Sequence, residues 1–212
     1  MRGPGNTAGV RIPRGIALDG AGNIYVANEG NSTITVYAAG ASGRATPMVT
    51  IAGGNTGLSS PSGIARDGAG NIYVINHAAS FSGGSITVYA AGATGNATPV
   101  ATIAGDNTGL SFPVGIALDG AGNIYVANFS NSTITVYAAG ASGNATPMAT
   151  ITGPGLNGPF GIALDGAGNI YVTNFSGNSI TVYPAGASGN ATPTATIVGG
   201  NTGLSQPALI TF

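Results

Sequence analysis

The sequence predicts an all-β fold, a β-propeller of four near-identical four-stranded antiparallel blades plus an extra C-terminal strand. Three observations lead to this prediction. The 14-residue segment GIALDGAGNIYVAN at 15–28 recurs almost unchanged at 63–76, 115–128 and 161–174. The prolines that open each unit are 46 to 52 residues apart, a period typical of repeat architectures. Each unit alternates runs rich in Ile, Val, Thr and Tyr with glycine-rich turns, as β-strands joined by hairpins do.

In the first unit the predicted strands are a (15–19), b (23–28), c (33–38) and d (47–52). The DGAGN turn between a and b supplies two glycines that accept positive φ, and Asp and Asn side chains that bond nearby backbone amides. Strands b and c carry apolar residues on both faces, as a sheet covered on both sides by other sheets requires. A β-helix would not need a hairpin at each DGAGN, so the propeller is preferred.

The chain is interpreted as one domain with blades at about 13–60, 61–112, 113–158 and 159–206 and a terminal strand at 207–212. The terminal PALITF aligns with strand a of a fifth unit but lacks its glycine and aspartate. Three arrangements stay open: a closed four-bladed ring, an arc completed by a second copy, and a piece of a longer propeller. Near-identical strands can also exchange between chains, and the terminal strand is the expected swapped segment.

Charge is very sparse, with five arginines, no lysine, six acidic residues and one histidine, for a net charge of −1. Such a surface offers no basic patch for nucleic acid or an anionic membrane. The absence of cysteine excludes disulfides and thiolate metal sites, and no apolar run is long enough to span a membrane. The neutral polar composition favours an extracellular or cell-surface protein, although the opening MRGP lacks the apolar core of a signal peptide.

The motif P-x-G-I-A-L-D-G-A-G-N-I-Y-V-A-N, followed by S-x-I-T-V-Y, resembles the NHL-type repeat. It is also similar to blades of the senescence marker protein/gluconolactonase superfamily and, more loosely, of streptogramin lyases. The resemblance covers residues 13 to about 200. It implies a propeller, and because NHL-like rings commonly have six or more blades it favours the arc or the piece over the closed ring. It implies no single function, since such propellers include enzymes, ligand binders and interaction scaffolds.

The end of the propeller that carries the b–c and d–a loops is the predicted binding face. All length variation of the repeat lies in these loops, while the a–b and c–d turns keep one length. The largest change is four extra residues in the b–c loop of the second unit, at 77–84. Variable loops on a rigid scaffold are a usual place for binding, although neutral variation of surface loops explains the same pattern.

The candidate binding residues on this face are the amides that end each strand b and two residues beside them that break the repeat. They are Asn28, Glu29, Asn76, His77, Asn128 and Asn174. A ring of amides suits a sugar or a metal ligand set, whereas capping of the b–c loop is the plainer interpretation. His77, the only histidine, has the chemistry of a metal ligand or a base. No residue is predicted to be catalytic, and no metal ligand is assigned.

The aspartates of the DGAGN corners are predicted to cap their turns, because a catalytic carboxylate is normally needed once and not in every blade. They are Asp19, Asp67, Asp119 and Asp165. Arg66 replaces a leucine of the other units, and we expect it to pair with the neighbouring aspartate or to face the channel.

We expect a non-catalytic binding or structural module without a cofactor, which contacts protein or carbohydrate through its loop face or completes its ring with a second copy. The alternative is a metal-assisted lactonase or lyase of the gluconolactonase-like type. The resemblance implies that such lactonases hold a divalent metal, such as calcium, with a Glu, an Asn and an Asp from different blades. The candidates here are Glu29, Asn76, Asn128 and Asn174, with His77 as the base, but no site-specific motif matches.

Overall fold

The computed structural model describes residues 9–77 and 83–211 and confirms the predicted propeller blades. Within these residues, sixteen strands form four four-stranded sheets, and the strands of each sheet follow one another in chain order. We call the sheets blades 1 to 4 and the strands of each blade a to d. Blade 1 consists of Pro13–Leu18 (β1), Ile24–Asn28 (β2), Thr33–Tyr37 (β3) and Val49–Ile51 (β4).

The other three blades repeat this pattern. Blade 2 consists of Pro61–Arg66 (β5), Ile72–His77 (β6), Gly84–Tyr89 (β7) and Ala101–Ile103 (β8). Blade 3 consists of Pro113–Leu118 (β9), Ile124–Asn128 (β10), Thr133–Tyr137 (β11) and Ala149–Ile151 (β12). Blade 4 consists of Pro159–Leu164 (β13), Ile170–Asn174 (β14), Ser179–Tyr183 (β15) and Ala195–Val198 (β16).

The chain divides into two compact units. Unit 1 comprises Met1–Asn76 and Thr87–Val100, which is blade 1 with most of blade 2. Unit 2 comprises His77–Ile86 and Ala101–Phe212, which includes blades 3 and 4. No helix among the described residues is long and apolar enough to cross a membrane.

The observed strands differ from the predicted ones mainly at strand d, which has three residues in blade 1 instead of the predicted six. Strand β4 pairs with β3 only from Val36↔Val49 to Ile34↔Ile51. Beyond this point the chain turns to the neighbouring blade, because the amide of Ala52 donates to the carbonyl of Gly95 at 2.9 Å. Parts of the predicted loops are short 3-10 helices, at Glu29–Asn31, Asp106–Thr108 and Gly200–Thr202.

Within each unit the hydrophobic core lies between consecutive blades, so the faces that meet there are apolar, as predicted. We call the side of a blade that meets the next blade its trailing face, and the side that meets the previous blade its leading face. In unit 1 the trailing face of blade 1 contributes Ala27, Ile34 and Ile51, and the leading face of blade 2 contributes Ile64, Ile72, Val74 and Tyr89. The corresponding residues in unit 2 are Ala127, Ile134 and Ile151, and Ile162, Ile170, Val172 and Tyr183.

Hydrogen bonds join neighbouring blades at two further places. Strand d of blades 1, 2 and 3 forms a parallel bridge to a glycine in the c–d turn of the next blade, as Ile51 does to Gly95 and Ile151 to Gly189. In blades 2, 3 and 4 the tyrosine that ends strand c donates its hydroxyl to the preceding d–a loop, and the Tyr137 hydroxyl lies 2.6 Å from the Thr108 carbonyl. Burial raises the pKa of Tyr137 to about 12, which keeps the hydroxyl protonated as a donor.

The terminal segment 207–211 lies against β13 at the place where strand a of a further blade would pack. A β-carbon on Gly161 would come within 2.6 Å of the Ala208 carbonyl oxygen, and one on Gly115 would overlap the Phe160 carbonyl in the same way. The Thr173 hydroxyl also donates to the Ala208 carbonyl at 3.0 Å. The segment belongs to none of the sixteen described strands.

Candidate functional site

We call the end of each blade that carries the b–c and d–a loops its loop end. One polar residue recurs there in every blade, the asparagine that ends strand b. Asn28, Asn76, Asn128 and Asn174 are all buried. In blade 3, the Asn128 side-chain nitrogen donates to the Thr135 hydroxyl at 3.1 Å, and its oxygen accepts the Ser111 amide hydrogen at 3.1 Å. These bonds tie strand b to strand c and to the incoming d–a loop.

The other amides make the same pair of bonds. Asn76 donates to Thr87 and accepts from Ser59, both at 3.0 Å. Asn174 donates to Thr181 at 3.0 Å and accepts from the Asn157 amide at 3.1 Å. The geometry therefore favours the capping interpretation for these residues, and a binding role for them stays a prediction.

The residue after each of these amides is glutamate in blade 1, histidine in blade 2 and phenylalanine in blades 3 and 4, and in unit 2 it belongs to an aromatic cluster. We call this cluster, formed by His77, Phe112, Phe129, Phe160 and Phe175, the aromatic loop face. All five rings are half-buried.

The rings of the aromatic loop face form a continuous series of contacts. His77 stacks on Phe112 with 4.3 Å between ring centroids. Phe112 meets Phe129 edge-on at 6.0 Å, and Phe129 meets Phe160 and Phe175 at 6.3 and 6.1 Å. Phe160 and Phe175 stack at 5.5 Å. Such edge-to-face and stacked pairs stabilise one another by about 1 kcal/mol each.

In unit 1 the equivalent positions of blade 1 carry charge instead of rings. Glu29 follows Asn28 as Phe129 follows Asn128, and its carboxylate accepts a hydrogen bond from Nε of Arg14. An exposed ion pair of this kind contributes about 0 to 1 kcal/mol to stability. The loop end is therefore charged in blade 1 and aromatic in unit 2, an asymmetry that neither the core nor the turns share.

The aromatic loop face was not predicted from the sequence. Glu29 and His77 were predicted as the residues that break the repeat, whereas Phe129 and Phe175 at the same position were not among the candidates. A signal was present in the sequence, since every described phenylalanine lies beside an opening proline or directly after a strand-b asparagine. The core aromatic residues, in contrast, are all tyrosines.

The DGAGN aspartates cap their turns, as predicted. In the first turn, Oδ1 of Asp19 accepts the backbone amides of Ala21 and Asn23, and Oδ2 accepts from the Asn23 side chain at 2.8 Å. These hydrogen bonds, above all that from the Asn23 side chain, lower the pKa of Asp19 below its ordinary value of 3.8. The pKa of Asp119 is lowered as well, because the hydrogen bonds from Asn123 and Ala121 outweigh the desolvation by burial.

Arg66 forms no salt bridge with Asp67 within the described residues. Its guanidinium lies over the Tyr25 ring, 4.3 Å from the centroid, and donates to the Gly70 carbonyl at 3.4 Å. A cation over an aromatic face gains about 1 kcal/mol, so the substitution is a contact between blades 1 and 2. It also borders a shallow cleft of about 570 Å³ between the turns at Asp19 and Asp67, whose carboxylates are occupied by turn hydrogen bonds.

The described residues contain no group of three His, Asp or Glu side chains close enough together to hold a metal ion. The proposed lactonase ligands are instead engaged elsewhere: Glu29 pairs with Arg14, and the buried amides bond within their blades. The metal-assisted alternative gains no support from this arrangement.

Comparison with known proteins agrees with the blade geometry. The family model of the NHL repeat matches residues 11–37 and 110–137, in blades 1 and 3. No curated protein sequence gives a significant match.

Solved structures resemble the whole chain. Virginiamycin B lyase from Staphylococcus aureus is 15% identical with a TM-score of 0.61, over 97% of this chain and 60% of that one. A functionally unknown protein from Desulfotomaculum acetoxidans is 16% identical with a TM-score of 0.66, over 94% and 59%. The PQQ-bound aldose sugar dehydrogenase from Streptomyces coelicolor is 19% identical with a TM-score of 0.62, over 97% and 72%.

The chain thus spans about three fifths of the length of the first two structures. Likeness at this level of identity shows the fold and leaves the chemistry of each site undetermined. The chain has an NHL-type β-propeller fold, as shown by the match to the NHL repeat, the topology of the blades and the similar solved structures.

Proposed function

We propose that this chain is a non-catalytic binding module that takes a neutral carbohydrate on the aromatic loop face of unit 2. The observation that carries the proposal is the series of five half-buried rings on the loop end, which is the end where the blades differ most. Partly exposed rings that pack against one another present flat apolar surface at low entropic cost.

A neutral, hydroxyl-rich ligand fits the surroundings of these rings. Unit 2 contains no lysine or arginine, so it offers no cation for an anionic ligand. The faces of Phe129 and Phe175 suit the C–H faces of a sugar ring. Ser130 and Ser176, both exposed in the adjoining b–c loops, bring hydroxyls for the sugar hydroxyls. The neutral composition also supports our inference that the protein works outside the cell.

The test is calorimetric titration of the chain with four neutral oligosaccharide series, built from cellulose, xylan, mannan and chitin units. We expect at least one series to bind. Phe129→Ala and the milder Phe129→Leu, which keeps apolar bulk but removes the flat ring, should each weaken binding by about tenfold or more.

Met148→Ala is the matched control, because Met148 is an equally apolar, exposed residue of unit 2 at the start of β12, away from the loop end. It should bind as the wild type does. Absence of binding to all four series at millimolar sugar, or equal losses in Phe129→Leu and Met148→Ala, would contradict the proposal.

A further inference from the structure

The two ends of the blade series expose half-faces that are buried everywhere else in the repeat. On the leading face of blade 1, Ile16 is 61% exposed, whereas its equivalents Ile64, Ile116 and Ile162 are 5 to 8% exposed. Tyr37 of the same face is half-buried, whereas the tyrosines at this position in the other blades are fully buried. Blade 1 therefore presents a half-core to solvent.

The trailing face of blade 4 shows the same exposure. Ile197 is 50% exposed, although its equivalents Ile51, Ile103 and Ile151 are completely buried. In the following loop Thr202 is exposed, whereas Thr56 and Thr108 at the same position are 1% exposed. All four residues of β16 are exposed.

We propose that a second copy of this chain covers these surfaces, with the leading face of blade 1 of one copy packed on the trailing face of blade 4 of the other. The template is the interface between consecutive blades within each unit. There a tyrosine hydroxyl donates to a loop threonine carbonyl, as Tyr89 does to Thr56 at 2.6 Å, and a turn glycine bridges strand d. Tyr37 and Gly43 of one copy are placed to repeat these bonds with Thr202 and β16 of the other.

The sequence preserves both halves of this interface. The leading side retains Ile16, Ile24, Val26 and Tyr37, which match the buried Ile64, Ile72, Val74 and Tyr89. The trailing side retains Ile180 and Ile197, and only one residue of the set changes, from alanine to Thr173. If these isoleucines were simply exposed to solvent, the leading face of blade 1 and the trailing face of blade 4 would not be expected to remain complementary to each other.

Two copies satisfy the geometry of a propeller better than a longer assembly does. Each copy brings four blades, and propellers typically have four to eight. The contact joins two different faces and is therefore heterologous. An open assembly would leave one face of each kind exposed at its ends, whereas a closed assembly covers all of them. We therefore expect a closed dimer of twice 20.3 kDa.

Two features of this chain weaken the contact, and both can be changed. Arg44 stands where Asn96 and Asn144 accept a loop amide hydrogen at 2.8 Å, and a guanidinium cannot accept one. The terminal segment 207–211 occupies the place on β13 that β1 of the second copy would take. Arg44→Asn should therefore tighten the dimer about thirtyfold, because each of its two contacts gains one hydrogen bond of about 1 kcal/mol. Ile210→Asp, which loosens the segment, should tighten it as well.

The experiment is sedimentation velocity and light scattering on the full chain from micromolar to millimolar concentration. We expect a concentration-dependent dimer. Ile16→Asp and Ile197→Asp should each give monomers, because each substitution spoils both contacts of the ring. A mixture of these two variants should recover dimers. In a mixed dimer both substitutions lie in the same contact, so the other contact keeps both of its wild-type faces.

Met148→Asp is the control, since Met148 is exposed to the same extent but lies on neither end face. It should dimerise as the wild type does, and circular dichroism should show all variants folded. A wild-type monomer at millimolar concentration, a mixture that stays monomeric, or an Arg44→Asn variant that associates no more tightly would overturn the proposal.

Discussion

Replacing the buried amide of blade 3, Asn128→Ala, should show whether the strand-b asparagines build the fold. The substitution removes the bonds to the Thr135 hydroxyl and the Ser111 amide, both 3.1 Å, and two longer bonds to Thr133 and the Val126 carbonyl. A net hydrogen bond contributes about 1 kcal/mol, and each partner left buried without a bond costs more. We expect the free energy of unfolding to fall by about 3 kcal/mol.

The assay is urea unfolding followed by circular dichroism, with Asn107→Ala as the control. Asn107 is an exposed asparagine of unit 2, so its replacement should change the free energy of unfolding by less than about 0.5 kcal/mol. A loss below about 1 kcal/mol for Asn128→Ala would refute the reasoning, because the fold would then not depend on the amide. In that case the predicted binding role would become the better explanation for its repetition in every blade.

Three further predictions concern stability. Ile151→Ala should cost about 3 to 4 kcal/mol and Ile197→Ala about 1 kcal/mol in urea unfolding at monomeric concentration, since the first side chain is fully buried and the second half-exposed; equal costs would contradict this. Because the pKa of Asp19 and of Asp119 is lowered in the fold, their contribution to the free energy of unfolding should be complete above pH 3.8 and fall as the pH drops further. Asp119→Asn should make that fall smaller. Because the pKa of Tyr137 is raised from 10.0 to about 12, its contribution to the free energy of unfolding should be complete below pH 10 and be lost as the pH rises through 12. In an alkaline titration, Tyr137→Phe should abolish this loss of stability.

The blade pattern could be predicted from sequence because every local signal repeats four times. The DGAGN turns, the alternating apolar strands and the opening prolines each specify the same hairpins, and the structure pairs strands a and b antiparallel in blades 1, 3 and 4. The length of strand d could not be predicted, because after Ile51 the chain leaves its own sheet and the Ala52 amide donates to the Gly95 carbonyl of the next blade. That contact depends on how two blades pack, which a pattern within one unit does not contain.

A binding role for the loop end stays a prediction. The candidate residues chosen from the sequence were the recurring asparagines of strand b, with Glu29 and His77 beside two of them. Asn128 is buried and bonded, whereas Phe129 beside it is half-exposed and contacts three other rings. Phe129, Phe160 and Phe175 are 15 to 46 positions apart in the sequence. Only the packing of the blades brings their rings together.

The interlocking of each blade with the next has a consequence for how such a protein can evolve. Because a trailing face such as Ile34 and Ile51 matches any leading face such as Ile64 and Tyr89, duplication or loss of one whole repeat creates no mismatched junction. Selection can therefore change the number of blades in single genetic steps and diversify the residue after each strand-b asparagine independently. The same property would let an engineer fix the scaffold and randomise only those loop positions to obtain new specificities.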